Sequence, residues 1–331
     1  MTSHRPAAAR LLRSLVCLLP WAAWACAAVA QPAYPSRPVQ VVVGFPAGGA
    51  MDIATRIVTD AMAAQGLGPL VVINKPGASG TIAAAQVERA PADGYTILLA
   101  TSANLGVAPA LYPKLSYDAD KSFAPIAQFA VGNSVVYAPG DSDARSLAAL
   151  LAKIKARPGE LSFASPGTGT TAHLSFEMLG AAHQLKLVHV PYRGSPPAVT
   201  AVVAKQLEFG VDAIGPVMAF VRSGQLKALA QTGAQRSTAL PDVPTLAELG
   251  IQGVAAGTYL GFAAPAGTPP AIVQAWREAV RQALASPDTA RKLADVGLDQ
   301  RFLDSAAFER AMRSERPLWA DAVKRSGATP N

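Results

Sequence analysis

The chain has 331 residues, of which 50% are hydrophobic and only 15% charged, with 27 glycines and 27 prolines. That charged share lies well below the ~25% of an average globular chain, which excludes a disordered tail, an acidic solvating chain and a coiled coil. Twenty-nine Lys and Arg against 22 Asp and Glu give a net charge of +7, so the placement of the charges decides whether a polyanionic partner is implied.

Three of those charges, Arg5, Arg10 and Arg13, precede a run without charge from Ser14 to Ala30 that ends Ala28-Val29-Ala30. A basic start, an apolar stretch and small residues at −3 and −1 describe a secretory signal peptide over 1–30, cleaved after Ala30. An uncleaved anchor fits less well, because the apolar part falls short of the ~20 residues a spanning helix needs. A lipoprotein would use Cys26, but Ala23-Trp24-Ala25 before it lacks the usual Leu, and no Arg-Arg pair supports twin-arginine export. Cleavage would remove three arginines and no carboxylate, lowering the charge from +7 to +4, together with both cysteines, Cys17 and Cys26. The mature chain is then expected to be soluble and periplasmic, without thiols, disulfides or a thiolate-held metal.

The body alternates short apolar runs with amphipathic stretches. Residues 39–43 form a β-branched run of the kind buried on both faces of a sheet. A helix follows over 53–64, a strand over 70–73, a helix over 82–89 and a strand over 96–100. The second half repeats the pattern, with strands over 161–164, 188–190, 207–211 and 226–230 and helices over 171–182, 198–204 and 217–223. Two C-terminal helices are expected over 269–284, with Thr268 as its cap, and over 305–324. Such alternation predicts an α/β protein with mostly parallel sheets flanked by helices.

Two loops echo each other. Pro46-Ala47-Gly48-Gly49 follows the first strand and Pro166-Gly167-Thr168-Gly169 follows the strand at 161–164, each just before a helix. Both can serve as ordinary tight turns, or present unpaired N–H groups to a carboxylate or phosphate at a helix N-terminus. Gly167-Thr168-Gly169-Thr170-Thr171-Ala172 fits a dinucleotide fingerprint, but the next strand ends His189-Val190-Pro191-Tyr192 without the acidic residue that motif requires. Gly77-Ala78-Ser79-Gly80-Thr81 fails as a nucleophile elbow at its last position, and no metalloprotease motif occurs. Of the histidines after the leader, His189 lies in an apolar strand and reads as packing, His183 closes a helix, and His173 sits in the first turn after the second glycine loop. The densest basic cluster, Lys153, Lys155 and Arg157, is interleaved with apolar residues as on a solvated helix face, so no nucleic-acid partner is expected.

Eight segments in order carry a resemblance: YPSRPVQVVVGFPAGGAMD (34–52), INKPGASG (73–80), PADGYTILLATSAN (91–104), LYPKLSYD (111–118), FASPGTGTTAHL (163–174), VHVPYRGSPPA (188–198), LPDVPTLAELG (240–250) and GFAAPAGTPP (261–270). Together they resemble the substrate-binding receptors of tripartite tricarboxylate transporters, the TctC or Bug family, over nearly all of the chain after the leader. The resemblance implies a two-domain periplasmic-binding-protein (Venus flytrap) fold, type II-like. One domain would span 32–130 plus 257–331 and the other 131–256, with crossings near 131–133 and 255–259. It implies a binding protein rather than an enzyme, without cofactor or metal, monomeric, taking a small carboxylate and handing it to membrane permease subunits.

Carried over by position, the resemblance points to Phe45, Ala47, Gly48, Gly49, Met51 and Asp52 in the first loop and to Thr101, Ser102 and Ala103 after the third strand. In the second domain it points to Thr168, Gly169, Thr170, Thr171 and Asp212. Asp52 also fits a plain helix-capping role. Met51 stands where the family commonly has Ser or Thr; a thioether donates no hydrogen bond, which predicts a ligand less polar than citrate. A sensor feeding a signalling partner, and an exported hydrolase on the same fold, are the alternative functions.

Overall fold

The computed structural model describes residues 34–254 and 257–330, so the signal-peptide reading of 1–30 lies outside the described residues. Residues from Arg37 onward form one unit containing two β-sheets.

The first half builds β1 (Val39–Val43), α1 (Ala50–Ala64), β2 (Leu70–Asn74), α2 (Thr81–Glu88) and β3 (Thr96–Thr101). β1 is central because its valines have nowhere wet to point: Val39, Val41, Val42 and Val43 are fully buried between parallel neighbours β2 and β3. On α1, Ala54, Val58 and Met62 recur at four-residue spacing and bury one face. After β3 the chain makes a π-helical turn (Ser102–Val107) and a short helix α3 (Ala108–Leu111), then β4 (Phe123–Gly132). The second sheet takes β5 (Ser134–Pro139), β6 (Ser162–Ser165), β7 (Val188–Pro191), β8 (Phe209–Ala213) and β9 (Leu226–Gln231), with α4 (Leu147–Ala156), α5 (Thr171–Ala182), α6 (Ser195–Val203) and α7 (Ile214–Arg222) between them. The chain then returns to the first sheet as β10 (Thr258–Pro265), α8 (Pro270–Ala283), α9 (Pro287–Asp295), β11 (Asp299–Leu303) and α10 (Ser305–Ser326).

The strand orders are β11-β4-β10-β3-β1-β2 and β7-β6-β8-β5-β9. Both sheets are mixed rather than mostly parallel. β1–β2, β1–β3, β6–β7 and β6–β8 are parallel, whereas β10 runs antiparallel to β3 and β4, β11 to β4, and β5 to β8 and β9. The antiparallel strands are largely those absent from the periodicity reading. β4 contains Pro125 and ends at Gly132, and so shows neither period cleanly. They are also the strands at which the chain changes sheets: β4 leads into β5 through Asn133, and β10 comes back from the second sheet. In each sheet the incoming strand, β5 or β10, pairs beside the third parallel strand, β8 or β3, so the two halves share one plan.

α4 carries Lys153 and Lys155 outward while Leu147, Leu150, Leu151 and Ile154 are buried, as the solvated-face reading requires. Thr268 does not cap α8. Pro269 occupies the cap position, and the Thr268 hydroxyl donates instead to the Pro265 carbonyl at 2.8 Å, closing the turn that ends β10.

Each half has its own apolar core, and a further cluster joins them: Val107 and Leu111 from the first half, Leu174 and Met178 of α5, and Trp319, Ala322 and Val323 of α10. Full burial of each large side chain there contributes roughly 1.5–3 kcal/mol. Arg316 fastens α10 further, donating to the Leu105 and Ala119 carbonyls and pairing with Asp120.

Candidate functional site

In open α/β sheets, ligands bind beyond the strand C-termini where the winding direction reverses. Here β1 and β3 flank that point in the first sheet and β6 and β8 in the second. The loops after these four strands hold the residues singled out from the sequence.

In the first loop, Gly48 takes φ +77, open to glycine at little cost. Gly44 is required for a different reason: a Cβ there would stand 2.5 Å from the Gly80 Cα, so the β1 loop packs directly on the Gly77–Gly80 turn. Asp52, at the third position of α1 and 2% exposed, folds the loop back. Its carboxylate accepts from the Gly48 N–H (2.8 Å), Asn74 Nδ2 (2.9 Å) and Arg56 Nε (3.1 Å). Burial works to raise its pKa, but Arg56, the Gly48 amide and Asn74 together outweigh it and hold the carboxyl below its usual value. Asn74 Nδ2 also donates to the Phe45 carbonyl at 3.0 Å. Asp52 is therefore saturated, and so is the Gly48 N–H. The Gly49 N–H reaches the Pro46 carbonyl at 3.3 Å, and the first helical bond runs from Ile53 N–H to Gly49. The N–H groups of Ala47, Ala50, Met51 and Asp52 precede that bond and have no acceptor among the described residues.

After β3, Thr101 and Ser102 are fully buried and their side chains are engaged. Thr101 caps the π-helical turn, exchanging bonds with Asn104, while the Ser102 hydroxyl donates to the Gly257 carbonyl and accepts the Tyr259 N–H. The Ser102 hydroxyl thus ties the end of β3 to β10, while that of Thr101 stays within the turn; Ala103, beside them, is partly exposed.

The second-sheet loop shows the same economy. Thr170 caps α5, accepting from the His173 N–H and donating to the Gly167 carbonyl at 2.8 Å. The Gly169 N–H donates to Nδ1 of the buried His173 at 3.2 Å, which fixes Nδ1 as an acceptor. His173 stacks on His189 with ring centroids 3.9 Å apart, and burial, followed by the electrostatic influence of the His173 ring, lowers the His189 pKa to about 4. The N–H groups of Thr168, Thr171 and Ala172 have no acceptor among the described residues. The Thr171 hydroxyl meets that of Thr258 at 2.9 Å, and a Cβ on Gly169 would lie 3.0 Å from Leu111 Cδ2, so this loop lies against the first half of the molecule.

Asp212 is the next-to-last residue of β8 and is 1% exposed. Its Oδ1 accepts from Ser195 Oγ (2.8 Å) and from the neighbouring Ala213 N–H (2.7 Å), while Oδ2 has no partner among the described residues. Burial without a cation raises this carboxyl to about 7. No hydrogen bond joins the Phe45–Asp52 loop to the Thr168–Thr171 loop among the described residues. The first loop packs on Gly80, which lies against Asn104 of the π-helical turn, and the second loop packs on Leu111 of α3, which follows that turn.

Arg56, Asn74, Ser195 and the acceptor role of His173 were not read from the sequence. Arg56 stands four residues after Asp52, a helical spacing that signals the pair; Asn74 and Ser195 reach their partners only through the fold. Among the described residues no three His, Cys, Asp or Glu side chains gather as a metal site, and no helix is long and apolar enough to cross a membrane.

A family model described as tripartite tricarboxylate transporter family receptor matches residues 54–328, and the chain belongs to that family of periplasmic solute-binding receptors, not enzymes. It is 39% identical over 291 residues to a UPF0065 protein of Pseudomonas sp. strain P51, covering 87% of this chain and 86% of that one. Among solved structures it resembles an R. palustris protein with adipate (28% identity, TM-score 0.76, covering 90% of this chain and 100% of that one). It also resembles MatC from Rhodopseudomonas palustris with bound malate (31% identity, TM-score 0.71, 88% and 100%).

Proposed function

We propose that the protein captures a small carboxylate between two lobes, 32–130 plus 257–331 and 131–256, and delivers it in the periplasm, after export on its 1–30 leader, to a tripartite tricarboxylate-type permease. The observation that carries this reading is the pair of free N–H sets, at Ala50–Asp52 and at Thr171–Ala172, each at the N-terminus of a helix that follows a switch-point strand. Each helix end adds roughly 0.3–1 kcal/mol for an anion, up to ~2 when partly buried. Contacts from the second lobe would exist only when both lobes hold the ligand, which favours closure. The acids held by the two R. palustris proteins, adipate and malate, support the ligand class.

Thr101, Ser102, Asp52, Gly48 and Gly169 act in this reading as supports that aim the free donors. Met51 beside them offers apolar surface, which favours an aliphatic or aromatic acid over citrate. Native mass spectrometry of the purified mature protein, followed by a thermal-shift panel of carboxylates, tests both points. A ligand at ~100 times its Kd adds about 2.7 kcal/mol of stability. The expected result is a clear rise in Tm with adipate-, benzoate- or nicotinate-like acids and a smaller one with citrate. No rise with any carboxylate removes the receptor reading, and tighter binding of citrate removes the Met51 reading.

A further inference from the structure

The ends of the parallel strands and the loops beyond them carry four charged residues of interest, in unequal states. Asp52 is matched by Arg56, and Asp212 is buried with no cation beside it. Lys75 and Arg193 are both exposed, and neither has an ion-pair or hydrogen-bond partner for its side chain among the described residues. Their positions correspond. The Lys75 N–H donates to the carbonyl of Val43, the last residue of β1, at 2.8 Å. In the other half the Tyr192 N–H donates to Ser165, the last residue of β6, and the Gly194 N–H to Pro166, each at 3.0 Å, bracketing Arg193. The backbone of each residue thus lies beside the end of the strand that leads into the glycine loop of its own half, and each side chain has a long flexible stem.

The free N–H groups at the two helix ends suffice for one carboxylate, because each end carries only about half a positive charge. A second carboxylate on the same ligand gains from a full positive charge, and Lys75 and Arg193 are exposed cations beside these loops with no ion pair among the described residues. α6 adds little there, since Pro196 and Pro197 in its first turn have no N–H to give. We propose that Lys75 and Arg193, one from each half, are specificity-determining residues that hold the distal carboxylate of a dicarboxylate ligand and make the protein select dianions over monoanions of equal chain length. This rests on the receptor reading above. Met51 then faces the apolar spacer between the two charged ends.

Calorimetric titration of the purified mature protein with adipate against hexanoate, and succinate against butyrate, tests the assignment on wild type, Lys75→Gln, Arg193→Gln, the double variant and the charge-retaining Lys75→Arg. Both side chains are exposed, so the variants should fold as the wild type does, which their melting curves check. Wild type is expected to prefer the better-fitting diacid over its monoacid. The double variant should lose about tenfold or more in diacid affinity, the equivalent of ~1.4 kcal/mol, with monoacid affinity nearly unchanged, and Lys75→Arg should keep the preference. Equal losses for both acids, an unchanged diacid affinity in the double variant, or a wild type that prefers the monoacid each overturns the assignment while leaving the receptor reading standing. A wild type that binds none of the four acids, nor any other carboxylate, overturns both.

Discussion

Asp52 and Asp212 show how the same residue type takes opposite states in one protein. Asp52 collects a guanidinium, an amide side chain and a backbone N–H, so its folded pKa is lowered. A depressed carboxyl contributes stability that is present above its unfolded pKa and is lost as pH falls below it. Asp52→Ala leaves the Gly48 N–H and Asn74 without their acceptor and is expected to cost roughly 1–3 kcal/mol at neutral pH, read by urea unfolding, with the deficit shrinking toward pH 3. Asp212 behaves in reverse. Its pKa is raised to about 7, so the stability tied to its proton is complete below the ordinary carboxylate range and is lost as pH climbs toward 7. Asp212→Asn keeps an acceptor oxygen for Ser195 and has no charge to desolvate. Its melting temperature should therefore exceed that of wild type at pH 8 by more than it does at pH 4.5, and an equal difference at both pH values would show that Asp212 titrates normally.

At the scale of elements, α5 has two tasks. Its N-terminus, capped by Thr170 and braced by His173, presents Thr171 and Ala172, while Leu174 and Met178 on its flank pack against Trp319 of α10 and Leu111 of α3. The helix that offers donors thus also joins the two halves. Leu174 is fully buried in that junction, so Leu174→Ala is expected to cost about 2–5 kcal/mol. Because the junction is shared, chemical unfolding of the variant should also separate into two transitions where the wild type shows one; a single sharp transition would mean that the halves stay coupled by other contacts. α10, expected over 305–324, runs from Ser305 to Ser326 although Pro317 lies inside it, held by Arg316 and the buried Trp319.

Across the whole molecule, the two halves meet at places built of backbone on backbone. Gly257 stands against Gly132 and Asn133, and Gly215 at the start of α7 touches Val296 and Gly297 before β11. A Cβ on Gly215 would lie 2.9 Å from the Val296 carbonyl oxygen, with no flexible side chain to yield. Gly215→Ala is expected to alter the spacing of the two halves. Small-angle scattering should register a changed radius of gyration, and carboxylate affinity should fall several-fold as the closed arrangement is disfavoured. An unchanged affinity together with an unchanged radius would show that this contact is not a pivot.

Residue order by itself determined the strand–helix alternation and the two glycine loops, because turn chemistry and periodicity are local properties of the chain. The buried run 39–43, the helix over 171–182 and the segments from YPSRPV to GFAAPAGTPP were all legible without coordinates. Asp52 was read as a candidate helix cap, but α1 has no side-chain cap; the carboxylate is spent instead on the Gly48 N–H, on Arg56 and on Asn74, the last 22 residues away. Tertiary structure alone decided that the hydroxyl of Ser102 is spent on Gly257, 155 residues on, and that the Gly169 N–H is spent on a buried histidine. It also set the antiparallel strands where the chain changes sheets. A sequence shows which groups can donate; only the folded chain shows which are already paired, because that pairing depends on neighbours brought together across long separations.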